Sequence, residues 1–125
     1  MNEGDRIPEL RVTPDKYLPH RYAGASGDFN PIHIDTEFAQ QVGLPRNILH
    51  GLYSMALVAR ASAALADGDP RALRRLKVQF RGMGVPEEEI VVTGTVRGDG
   101  LLELEAAQGE NRIIRNAEAE VVVTP

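Results

Sequence analysis

The sequence predicts an α+β fold in which one long buried helix packs against an antiparallel sheet. The first observation is an apolar stretch from Ile48 to Ala66, where apolar side chains recur at three- and four-residue spacing. The second is a series of alternating or β-branched segments that begins at Leu73 and is divided by glycine-containing turns. A helix that is apolar nearly all round must bury its faces, and a sheet that wraps it is the obvious partner.

The chain before this helix predicts a short strand followed by two helices. Leu10-Arg11-Val12 is typical of a short strand, and Thr13-Pro14-Asp15 predicts a helix N-cap with proline at the first helical position. Pro19 is expected to interrupt that helix on its way to Tyr22, because proline removes a backbone donor and clashes with the preceding turn. Further on, Asp35 predicts the N-cap of a helix that runs through Gln41 and stops at Gly43.

The long helix is expected to open at His50-Gly51, after Pro45 breaks the chain, and to end at Asp67-Gly68-Asp69-Pro70. The apolar residues that we expect it to bury share a three- and four-residue spacing. They are Leu52, Met55, Ala56, Ala59, Ala63 and Ala66.

The second half of the chain predicts four strands. They are Leu73 to Phe80, Ile90 to Val96, Leu101 to Ala107, and Arg112 to Arg115 with an alternating extension to Thr124. Gly82 to Pro86 is a break, Gly98-Asp99-Gly100 is a hairpin signal, and a second turn falls at 108–111.

Composition narrows the class of protein. A chain of 125 residues predicts one domain over 1–125, and a net charge of −4 argues against nucleic acid as a partner. There is no cysteine, which excludes disulfides and thiolate chemistry. The polar N-terminus does not resemble a signal peptide, and the longest apolar run is far below the ~20 residues that span a bilayer. We therefore expect a cytoplasmic protein with no membrane partner.

The most informative motif places Asp28 and His33 on either side of Asn30-Pro31. Asn-Pro indicates a turn, and a turn can bring the carboxylate and the imidazole towards one point, where they could hold a water molecule. The alternative is that Asp28 caps a turn and His33 is a structural histidine, since Asp before Asn-Pro is common in turns. The residues alone leave both interpretations open.

Four segments in this region resemble the MaoC-like dehydratase family, which contains the (R)-specific enoyl-CoA hydratases and the (3R)-hydroxyacyl-ACP dehydratases. They are Tyr22 to His33, Phe38-Ala39, Gly43 and Ile48 to Gly51. The resemblance implies the hot-dog fold, no cofactor, no metal and a dimer. It also implies reversible hydration of trans-2-enoyl thioesters carried by CoA or acyl carrier protein, with (3R)-3-hydroxyacyl thioesters as the hydrated species.

The resemblance also assigns roles to site residues. Asp28 and His33 become the catalytic pair, and the backbone N–H of Gly51 becomes the donor to the thioester carbonyl. Asn30, Tyr22 and His50 become substrate-binding candidates: Asn30 is expected to position the loop, and Tyr22 to belong to the core or the pocket wall. His50 is expected to be structural rather than catalytic.

Three points qualify the resemblance. Some (R)-hydratases carry serine at the position of Ala56, and its absence here favours the dehydratase branch. One alternative function is a subunit of a heterodimeric dehydratase that needs a related hot-dog chain, and another is a hot-dog thioesterase. A metal site formed by Asp28, His33, Asp35 and His50 is disfavoured, because their spacing fits no known metal motif.

A local basic cluster, formed by Arg71, Arg74, Arg75 and Lys77, stands out in an acidic chain. It could bind the phosphate groups of CoA or of a phosphopantetheine arm. We favour the alternative that it is an exposed strand face, because alternating Lys and Arg are typical of such strands.

Overall fold

The structure, a computed structural model, describes residues 1–122 and has the predicted α+β layout. Within these residues four α-helices occur: α1 spans Leu18–Ser26, α2 Pro31–Ile34, α3 Thr36–Gln41 and α4 Gly51–Ser62. In this part of the chain, no helix has the length and hydropathy that a bilayer crossing requires.

The same residues form one antiparallel sheet of five strands. They are β1 (Leu10–Val12), β2 (Leu73–Phe80), β3 (Ile90–Gly98), β4 (Leu101–Gln108) and β5 (Asn111–Val121). The spatial order is β1-β3-β4-β5-β2, so β1 and β2 are the two edges. The strand predictions are confirmed, with the fourth strand and its extension forming the single strand β5; Val123 and Thr124 lie outside the described residues.

Helix α4 packs against the sheet and contacts β2, β3, β4 and β5. Its side chains Leu57, Val58 and Ala61 are buried in one cluster with residues such as Val92 and Leu104 from the sheet. Burial of this apolar surface is the main stabilising term for the layout, at about 25 cal/mol per Å² removed from water. Packing against the sheet therefore fixes the position of α4, including its first residue, Gly51.

The predicted buried face of α4 is wrong in part. Leu52 is 63% exposed and Ala56 is also exposed, although Ala63 is buried as expected. The residues that α4 buries lie on another face and include two serines: Ser54, Leu57, Val58, Ala61 and Ser62. A helix that is apolar nearly all round has no polar face to identify the side that meets solvent, so the spacing alone could not select the correct face.

The end of α4 also differs from the prediction. The α-helical hydrogen bonding stops at Ser62, and Ala63–Ala66 continues as a 3₁₀ helix. The left-handed residues Asp67 and Gly68 then end the helix at the predicted place.

The first helix begins later than predicted. Thr13-Pro14-Asp15 precedes α1 instead of capping it, and the Asp15 carboxylate accepts a hydrogen bond from Tyr17 N and pairs with Arg21. The Arg21 hydrogen bond holds the pKa of the Asp15 carboxyl below its ordinary value. Pro19 lies in the first turn of α1 and does not interrupt it, because the N–H that proline lacks has no acceptor there.

The segment that leads into α4 is hydrogen-bonded on both sides. Ile48 N donates to Ile32 O in α2 at 3.0 Å, and Leu49 N donates to Gly84 O at 2.8 Å. The loop that contains Gly84 is held by the buried Gln108 side chain, which donates to Val85 O at 2.7 Å and accepts from Val85 N at 2.9 Å. The residues just before α4 are therefore fixed between α2 and this loop.

The β3–β4 turn yields a stability prediction. Gly100 has φ +68°, and a Cβ there would overlap the carbonyl oxygen of Val121; Gly109 in the β4–β5 turn has φ +58° and open space around the same position. We expect Gly109→Ala to cost about 1 kcal/mol for the left-handed backbone. Gly100→Ala should cost about 1–3 kcal/mol more, because of the clash. Urea unfolding of the two variants measures the difference, and equal losses would contradict it.

Candidate active site

The turn between α1 and α2 is built by its own side chains. Gly27 ends α1 in the left-handed region, with φ +79°. Asp28 Oδ1 accepts from Asn30 N at 3.2 Å, and Asn30 Oδ1 accepts from Ile32 N at 3.2 Å, which caps α2. Asn30 has φ −53° and ψ 126°, outside the helical region as expected before proline, and Pro31 is the first residue of α2.

This turn places Asp28 and His33 face to face. Asp28 Oδ2 lies 3.8 Å from His33 Nε2, with 53% of the Asp28 side chain exposed and only 10% of the His33 side chain. The separation is too long for a direct hydrogen bond. Two acceptor atoms at this distance leave room for one water molecule that donates a hydrogen to each.

The orientation of the His33 ring is set by its second nitrogen. His33 Nδ1 lies 2.9 Å from the carbonyl oxygen of Ile48. A carbonyl oxygen can only accept, so Nδ1 carries the proton in the neutral ring. Nε2 is then left with its lone pair directed to the side where Asp28 lies.

His50 supports both members of this pair. It is 2% exposed, and its Nε2–H donates to the backbone carbonyl of Asp28 at 3.0 Å. Its ring stacks on His33, with centroids 3.9 Å apart and planes 21° from parallel, and Tyr22 covers it at 4.6 Å. Among residues 1–122, His50 Nδ1 is buried with no hydrogen-bond partner.

The N-terminus of α4 faces the same place. Gly51 is the first residue of α4, where backbone N–H groups have no acceptor within the helix. A cavity of about 300 Å³ is lined by Tyr22, Ser26, Asp28, His50, Gly51, Leu52 and Phe80. A Cβ on Gly51 would come within 3.2 Å of the Phe80 ring, so glycine lets this ring lie close to the start of α4.

Two larger cavities, of about 610 and 660 Å³, lie beside the C-terminal end and the alanine-rich middle of α4. Neither is lined by a histidine. The smaller cavity at the N-terminus of α4 is therefore the better candidate site, because it alone of the three adjoins paired titratable groups.

Tyr53 extends the set of packed rings formed by His33, His50 and Tyr22. Its ring meets Tyr22 edge to face, with centroids 5.9 Å apart. Burial raises the pKa of the Tyr53 phenol above its ordinary value, so this group stays protonated at neutral pH. We infer a packing role for it rather than a proton-transfer role.

Asp28, His33 and His50 each offer one potential metal-ligand atom, and these three atoms lie within 4.8 Å of one another. A bound zinc ion would need its ligand atoms at about 2.0–2.3 Å from a common centre. The two imidazoles are stacked, so their in-plane lone pairs run side by side rather than towards one point. The geometry therefore does not favour an ion here, and the expectation of a metal-free site stays a prediction.

The structure brings together most of the site candidates. Tyr22, Asp28, His50 and Gly51 line one cavity, and His33 adjoins it through Asp28. Asn30 turns its side-chain oxygen to the backbone of α2.

Sequence reasoning missed the Ile48 carbonyl and Asn47, which is 4% exposed and donates from Nδ2 to His33 O at 2.9 Å. A main-chain acceptor leaves no signal in the residue type. A polar residue just before the apolar run Ile48-Leu49 was the one available clue to Asn47.

The basic cluster is partly neutralised by acidic neighbours. Arg71 pairs with Asp69 at 3.1 Å, and Arg75 lies 3.8 and 3.7 Å from Glu118 and Glu120 on β5. Lys77 is opposite Glu118 in the strand register. These contacts support the exposed strand face over a phosphate site.

The tautomers of the three histidines provide a direct test of this geometry. Carbonyl acceptors lie at Nδ1 of His33 but at Nε2 of His50 and of His20, which bonds Ile34 O at 3.1 Å. For the neutral rings, ¹⁵N correlation spectra should show Nδ1–H for His33 and Nε2–H for the other two. An Nε2–H signal for His33 would contradict the orientation described above.

Comparisons with known proteins agree on one family. The family model described as "MaoC like domain" matches residues 3–118. The chain is 34% identical over 127 residues to the fatty acid synthase beta subunit hexB of Dothistroma septosporum. It is 38% identical over 93 residues to the enoyl-CoA hydratase ChsH3 of Mycobacterium tuberculosis. The crystal structure of a MaoC-like dehydratase from Phytophthora capsici superposes with a TM-score of 0.87 at 28% identity.

These matches cover most of this chain but only part of each relative. The hexB match covers 96% of this chain and 6% of hexB, the ChsH3 match 70% and 32%, and the Phytophthora match 99% and 44%. The structural likeness confirms the predicted hot-dog fold. Because the family model spans nearly all of the sequence, the chain belongs to the MaoC-like domain family.

Proposed function

We propose that this chain, as one MaoC-like hot-dog domain over 1–125, catalyses the reversible addition of water to trans-2-enoyl thioesters, giving (3R)-3-hydroxyacyl thioesters. Family membership supports the reaction class, and relatives named enoyl-CoA hydratase and fatty acid synthase beta subunit support the thioester substrate. The observation that carries the proposal is the approach of Asp28 Oδ2 to His33 Nε2 at 3.8 Å beside the N-terminus of α4.

The pair activates one water molecule. Since the neutral His33 ring presents a lone pair at Nε2, both groups accept, and a bridging water donates to both. Its oxygen lone pairs are then free to attack the β carbon of the enoyl group. In hydration, the pair takes one proton from the water as the C–O bond forms and returns one proton to the α carbon. Dehydration runs through the same steps in reverse, and the pair ends in its starting protonation state.

Gly51 stabilises the charge that this attack creates. As water adds, negative charge develops on the thioester carbonyl oxygen, and the N–H of Gly51 at the start of α4 is free to donate to it. The positive end of the helix dipole acts in the same direction. A preorganised donor of this kind typically contributes about 10²–10³-fold to a rate.

The remaining site candidates have supporting roles. Asn30 holds the turn through its bond to Ile32 N, and Tyr22 forms a wall of the cavity. His50 orients the catalytic pair through Asp28 O and through its stack on His33, and it is one of the residues that line the cavity. The thioester carrier is CoA or acyl carrier protein.

A second chain of this fold completes the assembly in our proposal, most simply a second copy. Within residues 1–122, β2 (Leu73–Phe80) is an edge strand, so its outer side offers backbone groups that no neighbouring strand pairs. Three large apolar side chains near Asp28 are exposed: Phe29 by 59%, Leu52 by 63% and Phe80 by 49%. A partner chain that covers this region would bury the three apolar side chains and shield the Asp28 carboxylate from water. A related hot-dog chain is the alternative partner.

Substitution of Asp28 by asparagine tests the catalytic role. We expect Asp28→Asn to lower kcat for crotonyl-CoA hydration, followed by enoyl absorbance, by about 10²–10⁴-fold, because an amide cannot accept the proton. Asp35→Asn is the matched control: Asp35 also accepts a backbone hydrogen bond, from Phe38 N, but lies outside the pair. A normal rate for Asp28→Asn would remove this residue from the mechanism.

The same assay separates hydration from thioester hydrolysis. Hydration consumes the enoyl absorbance without releasing CoA thiol, whereas a thioesterase releases thiol that a thiol reagent detects. Thiol release at the rate of substrate loss would replace the proposed reaction with the thioesterase alternative.

Sedimentation velocity at micromolar concentration tests the assembly. We expect twice the mass of the single chain, because pairing along β2 and burial of the three exposed apolar side chains act together. An active monomer would contradict the assembly. An inactive monomer that gains activity with a related chain would replace the homodimer with the heterodimer.

A further inference from the structure

We propose that Asn47 is a positioning residue, which holds His33 in the orientation that water activation requires. This inference rests on the proposed function, since it concerns the same reaction. Asn47 is buried, 4% exposed, and lies in the segment between α3 and α4. It touches no cavity of the site, so it acts through His33 and not on substrate.

The first step in the argument is the weakness of α2. This helix has only four residues, Pro31–Ile34, which is too short to be stable by itself. The carbonyl of His33 lies in its last turn, where the helix cannot supply a donor. Asn47 Nδ2 supplies that donor, at 2.9 Å from His33 O.

The second step is that two neighbouring residues hold His33 at two points. Asn47 binds the His33 backbone through its side chain, and Ile48 binds the His33 ring through its carbonyl, at 2.9 Å from Nδ1. Ile48 N also donates to Ile32 O at 3.0 Å. With the ring bond alone, the His33 backbone could shift and carry the ring with it. The two bonds together fix both the backbone and the ring, and so the direction of Nε2 towards Asp28.

The third step is that Asn47 is itself fixed. Its Oδ1 accepts from Thr36 Oγ1 at 3.0 Å, and Thr36 Oγ1 accepts from Asn47 N at 3.4 Å. Arg46 Nε also donates to Oδ1 at 3.3 Å, while Arg46 pairs with Glu87 at 3.2 Å. Because Thr36 and Arg46 both donate to Oδ1, the orientation of the Asn47 amide is set, and its Nδ2 faces His33 O.

Asn47→Ala and Asn47→Asp test the proposal. Alanine removes the donor, and aspartate keeps an acceptor for Thr36 but puts an oxygen against His33 O. We expect both to lower kcat by about 10- to 100-fold, as small displacements of a reacting group do. KM should change by no more than about twofold, because Asn47 does not touch substrate. Val96→Ala is the control for lost stability, since Val96 is buried on β3 and lines a cavity with Ala64 and Leu65, which follow the C-terminal end of α4.

A spectroscopic readout separates positioning from general destabilisation. In ¹⁵N-histidine spectra of the free protein, Asn47→Ala should reduce the Nδ1–H signal of His33 and leave His20 unchanged, whereas Val96→Ala should change neither. Thr36→Val, which removes one support of the amide, should shift the His33 signal in the same direction by less. If Asn47→Ala does not fold, Thr36→Val decides: an unchanged His33 signal overturns the proposal.

A double-mutant cycle closes the test. In a His33→Ala background, Asn47→Ala should cause no further loss of the residual rate, because its effect passes through the ring that is already absent. Additive losses, or a kcat loss equal to that of Val96→Ala with unchanged His33 spectra, would overturn the proposal. A wild-type protein inactive on enoyl thioesters would instead overturn the proposed function, while the spectra still report whether Asn47 orients His33.

Discussion

The hydrogen bond from His33 Nδ1 to the Ile48 carbonyl, at 2.9 Å, is the interaction on which the proposed chemistry depends. It decides which ring nitrogen carries the proton and which side of the ring the lone pair faces. With that bond reversed, Nε2 would present an N–H to Asp28, and the two groups would attract each other directly. With the bond as observed, both groups face the gap as acceptors, and a water molecule is the natural bridge.

A series of hydrogen bonds fixes the position of the Ile48 carbonyl that makes this bond. The Gln108 side chain on β4 is hydrogen-bonded to the loop before β3. In that loop, the carbonyl oxygen of Gly84 accepts a hydrogen bond from Leu49 N. Ile48 and Leu49 are therefore fixed just before α4 begins. The burial of α4 against four strands then keeps Gly51 at a constant position relative to the Asp28–His33 pair. Small polar contacts set the orientation of the side chains, while apolar burial sets the position of the backbone.

The sequence predicted the elements well because their signals are local. Asp35 caps α3, Gly51 begins α4, and the turn that contains Asn30-Pro31 brings Asp28 near His33. The predicted interruption at Pro19 is wrong, because a proline that breaks the middle of a helix is tolerated in its first turn.

Other features could not be predicted from the sequence. The buried face of α4 has no polar boundary that marks it, so exposed Leu52 was expected inside and buried Ser54 was not. The roles of Ile48 and Asn47 depend on main-chain carbonyls that meet only in three dimensions. The tautomer of His33 and its stack on His50 depend on these three-dimensional contacts as well.

A double-mutant cycle on the catalytic pair tests the central claim most directly. The rate of crotonyl-CoA hydration is measured for wild type, Asp28→Asn, His33→Gln and the double variant. If one water molecule is activated by both groups together, the double variant should be no slower than the slower single variant, because either loss already removes the joint action. Losses that multiply in the double variant would show that the two residues act independently and would contradict the account.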